Sequence, residues 1–120
     1  MGGWWWPKGF YVPEELENLP VERFCEAVKA ETGKVEIPGG FSPLHLHPLF
    51  HEADIYHHGK PTVIANADTD LRQGKGSLPI TESMNTRSCG VPWFKHYKPE
   101  IIREYAAAFR KVAENAEKIK

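Results

Sequence analysis

Between Val21 and Gly33 the apolar residues Val21, Phe24, Cys25 and Val28 recur at the three-and-four spacing of one helical face. This predicts a helix of about three turns, with Pro20 in its first turn and Gly33 as its C-terminal stop. Ahead of it, Lys8–Val12 (KGFYV) is short, aromatic and β-branched and ends at Pro13, the pattern of an edge strand. Behind it, Lys34–Ile37 (KVEI) alternates and is closed by Pro38, Gly39 and Gly40, which predicts a second strand. From Phe41 to Ser77 neither period persists, and a run rich in Pro, Gly, Asn, Asp and His is longer than ordinary connections. Leu78–Arg87 reads as a brief helix with Pro79 in its first turn, and Ser88–Phe94 as a third strand interrupted by Pro92. The last pattern is the clearest. Pro99 opens a helix, Glu100 suits its positive end, and Ile101, Ile102, Tyr105, Phe109, Val112, Ala116 and Ile119 form one stripe reaching near Glu117.

The order β-α-β-loop-α-β-α predicts an α+β fold, a small antiparallel or mixed sheet with helices on one face. The expected organisation is an aromatic tail at residues 1–7 and one domain at 8–120 carrying the long loop 41–77. Such a sheet leaves its second face uncovered. With the Trp4, Trp5 and Trp6 run, this predicts packing against a second domain or a second copy, and hence a homo-oligomer.

Charge narrows the partners. Fifteen Lys and Arg against sixteen Asp and Glu give a net charge of −1 over 120 residues, so no basic footprint for nucleic acid or an anionic membrane is expected. No apolar run approaches the length of a membrane span or a signal peptide, which predicts a cytoplasmic chain. Cys25 and Cys89 lie far apart without metal-ligand spacing and read as two buried thiols.

Five of the six histidines fall in PLHLHPLFHEADIYHHG, between His45 and His58. On an extended backbone His45 and His47 would project to one side, as two ligands on a metal-binding strand do. Gly39, His45, His47, Glu52 and Gly59 also reproduce the spacing of the first cupin motif, so one reading is a small cupin-like metal protein using His45, His47 and Glu52. Against it stand Pro48, which interrupts the segment that should pair in a sheet, and the long C-terminal helix. A second reading makes these imidazoles half-exposed loop groups. A third places them beside a substrate held mainly by another domain.

Four segments favour the third reading: PLHLHP (43–48), SLPITES (77–83), VPWFKHY (91–97) and IIREYAAAFRKV (101–112). In this order and spacing they resemble the carboxy-terminal small domain of the DegT/StrS family of aminotransferases dependent on pyridoxal phosphate (PLP). The likeness is especially to members similar to glutamine:scyllo-inosose-type aminotransferases, and it extends from about Phe10 almost to Lys120.

The resemblance implies the small-domain fold of fold-type I aminotransferases. It also implies a role in amino transfer to a keto sugar or keto-cyclitol. Full-length relatives hold PLP on a lysine of their large domain. No lysine here is followed by the family's glycine-rich sequence, and Gly74-Lys75-Gly76 is too short for a phosphate loop. The chain therefore reads as a truncated small domain, carrying no cofactor and not catalytic alone. Its expected partner is an aminotransferase large domain or a second copy.

Matching positions give His45, His47, Phe94, Lys95 and His96 as substrate-side candidates, and Arg72, in the TDLRQG turn, is a further one that could meet an anionic group of a substrate. For Phe94 a core role competes, for His96 a helix-capping role, and for Arg72 a solvated one.

Overall fold

Proline and glycine punctuate the helices. The structure, a computed structural model, describes residues 7–33 and 42–119. Helix α1 spans Val21–Thr32, with Pro20 at its cap position and not inside the first turn. It ends where Gly33 turns left-handed (φ 73°) and returns its N–H to the Lys29 carbonyl at 2.8 Å.

Strand β1 covers Lys8–Phe10 and pairs antiparallel with a second strand at Ser88–Gly90, Gly9 facing Cys89. Both strands are shorter than expected. Beyond them the ladder survives only as single bonds, from Tyr11 N–H to the Arg87 carbonyl and from Val91 N–H to the Pro7 carbonyl. Pro92 and Pro13 then stop further pairing. Gly9 has a packing reason: a Cβ there would stand 3.3 Å from the Cys89 sulfur. The expected strand at 34–37, with Gly39 and the tryptophan run, lies outside the described residues.

The C-terminal helix runs Pro99–Glu114 with Pro99 at its first position. Its last residue is Glu114, three before Glu117, and after Asn115 a single 3-10 turn follows at Ala116–Lys118. Asn115 donates its side-chain amide to the Lys111 carbonyl, which the next helical N–H would otherwise take, and accepts from the Lys118 ammonium. Between the C-terminal helix and β1 two brief helices intervene, so α2 is Pro48–His51, α3 is Pro79–Ser83, the second strand is β2 and the last helix α4. Helices with a small two-stranded sheet are compatible with the expected α+β class. Among the described residues no helix is long and apolar enough to cross a membrane.

The chain divides into two compact units, residues 1–40 with 86–120, and residues 41–85. The first holds the core. Leu19, Val21, Phe24 and Val28 pack with Tyr11, Cys25, Cys89, Val112 and Ala116, and the Phe24 ring meets those of Tyr11 and Phe109 at 5.2 and 5.9 Å. Two isolated strands would not persist in water; α1, lying against both β2 and α4, supplies the apolar face they need. Cys25 and Cys89 are both buried free thiols.

Tyr11 ties the turn before α1 to this core. Glu17 and Asn18 adopt left-handed backbone (φ 56° each), which swings Leu19 inward and offers its carbonyl to the Tyr11 hydroxyl at 2.7 Å. Burial, with the neighbouring Cys25, Cys89 and Glu22 as smaller causes, pushes the Tyr11 phenol up to about 12. A phenol raised in the folded state contributes stability that is complete below its unfolded value near 10 and lost as pH rises through about 12. Tyr11→Phe should cost about 1 kcal/mol at neutral pH by orphaning the Leu19 carbonyl, and should lose less stability than the native chain between pH 10 and 12. Denaturant melts of both chains across that window check this. Equal alkaline losses would refute it, since both thiols are present in each.

The 41–85 unit is built differently. None of its described residues is buried. Its short helical turns each begin at a proline: Pro43 and Pro61 cap the 3-10 turns Leu44–Leu46 and Thr62–Ile64, and Pro48 and Pro79 open α2 and α3. Polar side chains tie the turns together. The Asp54 carboxylate accepts from the His58 and Gly59 N–H groups at 2.8 and 2.7 Å, and the Thr62 hydroxyl accepts from Ile55 N–H at 2.8 Å.

Candidate functional site

Two of the polar clusters in the 41–85 unit involve residues singled out from the sequence. In the first, the Glu82 carboxylate gathers the turn before α3: it accepts from Gly76 N–H at 2.9 Å, from Leu78 N–H at 3.2 Å and from His45 Nε2 at 3.0 Å. The Gly76 amide foremost, and then His45, hold its carboxyl below the ordinary glutamate range. A carboxylate only accepts, so Nε2 of His45 is the donating nitrogen.

In the second cluster His51 directs Nε2 at two backbone carbonyls, those of His45 and Gln73, which fixes that nitrogen as donor. Arg72 donates Nη1–H to the His51 carbonyl at 2.9 Å. The other edge of its guanidinium is closed on Asp70, with Nε at 2.9 and 3.1 Å from the two carboxylate oxygens and Nη2 at 2.6 Å. Arg72 holds the Asp70 carboxyl down to about 2.

Both clusters border one cavity of about 360 Å³, within the size range of small-molecule sites. Leu44, Phe50, Val63 and Leu71 wall it, and His45, His51, Arg72 and Gln73 supply its polar atoms. Thus His45 and Arg72, 27 positions apart, line one cavity. His51, Gln73 and Asp70 were not legible as site residues. The signal available was slight: His51 lies in the histidine run, and Asp70 stands two residues before an arginine.

The remaining candidates do other things. His47 caps α2, its Nδ1 accepting from Leu49 N–H at 3.2 Å, and its ring meets Phe50 edge-on. Phe94 packs edge-on against Tyr105 at 5.3 Å and, with Val91, Ile102 and Phe109, lines an apolar groove of about 230 Å³ in the first unit. Lys95 and His96 are exposed in a bend. The capping role weighed for His96 goes instead to the position of Lys98, which makes no side-chain cap bond.

The backbone that would align His45 and His47 as ligands of a metal-binding strand is not a strand. His45 sits in a 3-10 turn, His47 is a helix cap and Glu52 is the exposed C-terminal cap residue of α2, so the three do not alternate along a strand. The prolines on either side of LHL favour the turn. Among the described residues no group of three or more His, Cys, Asp or Glu is placed to hold a metal.

In the Gly74-Lys75-Gly76 turn, the Gly76 N–H that could meet a phosphate is already bound by the Glu82 carboxylate, whose charge would repel one. No family model matches the chain, and no curated protein or solved structure matches it.

Proposed function

We propose that this chain is the non-catalytic carboxy-terminal part of a DegT/StrS-type aminotransferase, working on the substrate side of a reaction whose cofactor is held by a separate large domain. The observation that carries this reading is the cavity, because it unites His45 of PLHLHP with Arg72 between apolar walls. Leu44, Phe50, Val63 and Leu71 suit the C–H faces of a ring, while imidazole and guanidinium groups suit its hydroxyls.

A second feature supports association with another polypeptide. Leu44, Leu49, Phe50, Ile55, Tyr56, Val63, Leu71 and Ile80 are all largely exposed in a unit of 45 residues, more apolar surface than an isolated segment ordinarily leaves wet.

The test is reconstitution. The chain, mixed with a separately expressed large domain of a DegT/StrS aminotransferase and pyridoxal phosphate, should support amino transfer from glutamine to a keto-cyclitol. His45→Ala should reduce that turnover on the order of tenfold or more. No gain over the large domain alone, at any ratio, overturns the proposal.

A further inference from the structure

We infer that Asp70 is the specificity-determining residue of the 41–85 cavity: by keeping Arg72 as a charge-neutral pair, it makes the site take an uncharged hydroxylated ring and turn away carboxylates and phosphates. This rests on reading the cavity as a substrate-side site.

An arginine at the rim of an apolar cavity is ordinarily an anion receptor, because its planar fork matches carboxylate and phosphate oxygens two at a time. Here one edge of the fork is filled and the other engaged. The Nε and Nη2 edge, one of the two on which a carboxylate can bind, lies on Asp70, and Nη1 of the other edge donates to the His51 carbonyl. Three of the five N–H groups are therefore spent, and the two left lie beside the Asp70 charge.

The pair is preorganised within one loop. Arg72 lies two residues after Asp70, and its own backbone N–H also binds Asp70 Oδ1 at 3.0 Å, so closing it orders little additional chain. Half of the Asp70 side chain is open to solvent, and ion pairs this exposed contribute little to stability. The consequence of the pairing falls instead on what the guanidinium can bind. An incoming anion would have to displace a carboxylate held by both oxygens, or sit beside its negative charge.

The rest of the lining agrees. The Nε2 hydrogen of each imidazole is spent on the protein and is not offered to a phosphate oxygen. Apolar walls complete the lining.

The experiment titrates the isotope-labelled full chain with myo-inositol and with myo-inositol 1-phosphate, following backbone resonances by NMR. The native chain should shift at residues 44–51 and 71–73 with inositol and bind the phosphate at least tenfold more weakly. Asp70→Asn keeps an acceptor for the Arg72 N–H and should reverse that preference. The acquired phosphate affinity should vanish when Arg72→Gln is added and fall at high salt. Unchanged resonances at residues 54–62 and 78–85, away from the pair, verify that the 41–85 unit of each variant is folded.

If the native chain binds the phosphate as well as inositol, or Asp70→Asn leaves the ratio unchanged, the role of Asp70 is refuted while the cavity stands as a site. If neither ligand shifts cavity residues in either chain, the substrate-side reading fails, and the role of Asp70 with it.

Discussion

Leu19→Ala should lower the stability of the core by about 2–5 kcal/mol, the range for removing a large aliphatic side chain from a packed interior. Leu19 is completely buried, and it belongs to the cluster formed by Tyr11, Val21, Phe24, Val28 and Val112. It is also held in place by its neighbours: the left-handed Glu17 and Asn18 aim it inward, and its carbonyl receives the Tyr11 hydroxyl. The surroundings therefore have little freedom to collapse into the space left behind, and the upper half of the range is expected. For a unit of this size the melting temperature should fall by roughly 10 °C or more. Leu44→Ala is the matched comparison, because Leu44 is 69% exposed and its loss should change stability by less than about 0.5 kcal/mol. Thermal or denaturant melts monitored at the single-residue level would decide. Equal costs for the two variants would mean that the core is not where the burial places it.

The elements legible in the sequence were those with a local cause. The stripe from Ile101 to Ile119 and the spacing Val21, Phe24, Cys25, Val28 each mark a face that must meet another, and Pro99 and Gly33 mark where the backbone can enter and leave a helix. The ends of α4 and of both strands were less legible. They depend on one side chain or one lost amide: Asn115 folding back on Lys111, and the prolines that end the pairing of β1 and β2.

The 41–85 unit was legible only as a long loop, because it has no apolar period and its short turns are set by proline and by side-chain bonds between distant positions. His45 meets Glu82 across 37 residues, a pairing that no periodicity encodes. The same limit explains the site. His45 and Arg72 were visible because they fall in or near recognisable segments. Asp70 and His51 acquire meaning only from what they touch. His47 illustrates the converse, since its alternation with His45 suggests a shared ligand face until Pro43 and Pro48 bend the intervening chain into turns.

Because none of the described residues of the 41–85 unit is buried, its shape rests on a few polar junctions, and Glu82→Ala should release it while leaving the first unit intact. One carboxylate receives Gly76, Leu78 and His45, thereby joining the turn before α3 to the 3-10 turn at Leu44–Leu46. Removing it leaves two amides and an imidazole without their acceptor at once. Ordinary loop bonds would lose one partner, and no apolar core compensates here. Hydrogen exchange should accelerate on the order of tenfold or more at Leu46, His47 and Leu78–Met84, while α1 and α4 keep their protection.

The acid limb gives an independent check on the same junction. The Glu82 carboxyl is lower in the folded chain than when unfolded, so the stability it contributes is complete above the ordinary glutamate range and lost as pH falls through its depressed value. The native 41–85 unit should accordingly loosen on acidification, whereas Glu82→Ala should already be loose at neutral pH and change little. Exchange that is unaltered in Glu82→Ala, or that accelerates equally in α1 and α4, would show that this carboxylate is not the junction holding the unit.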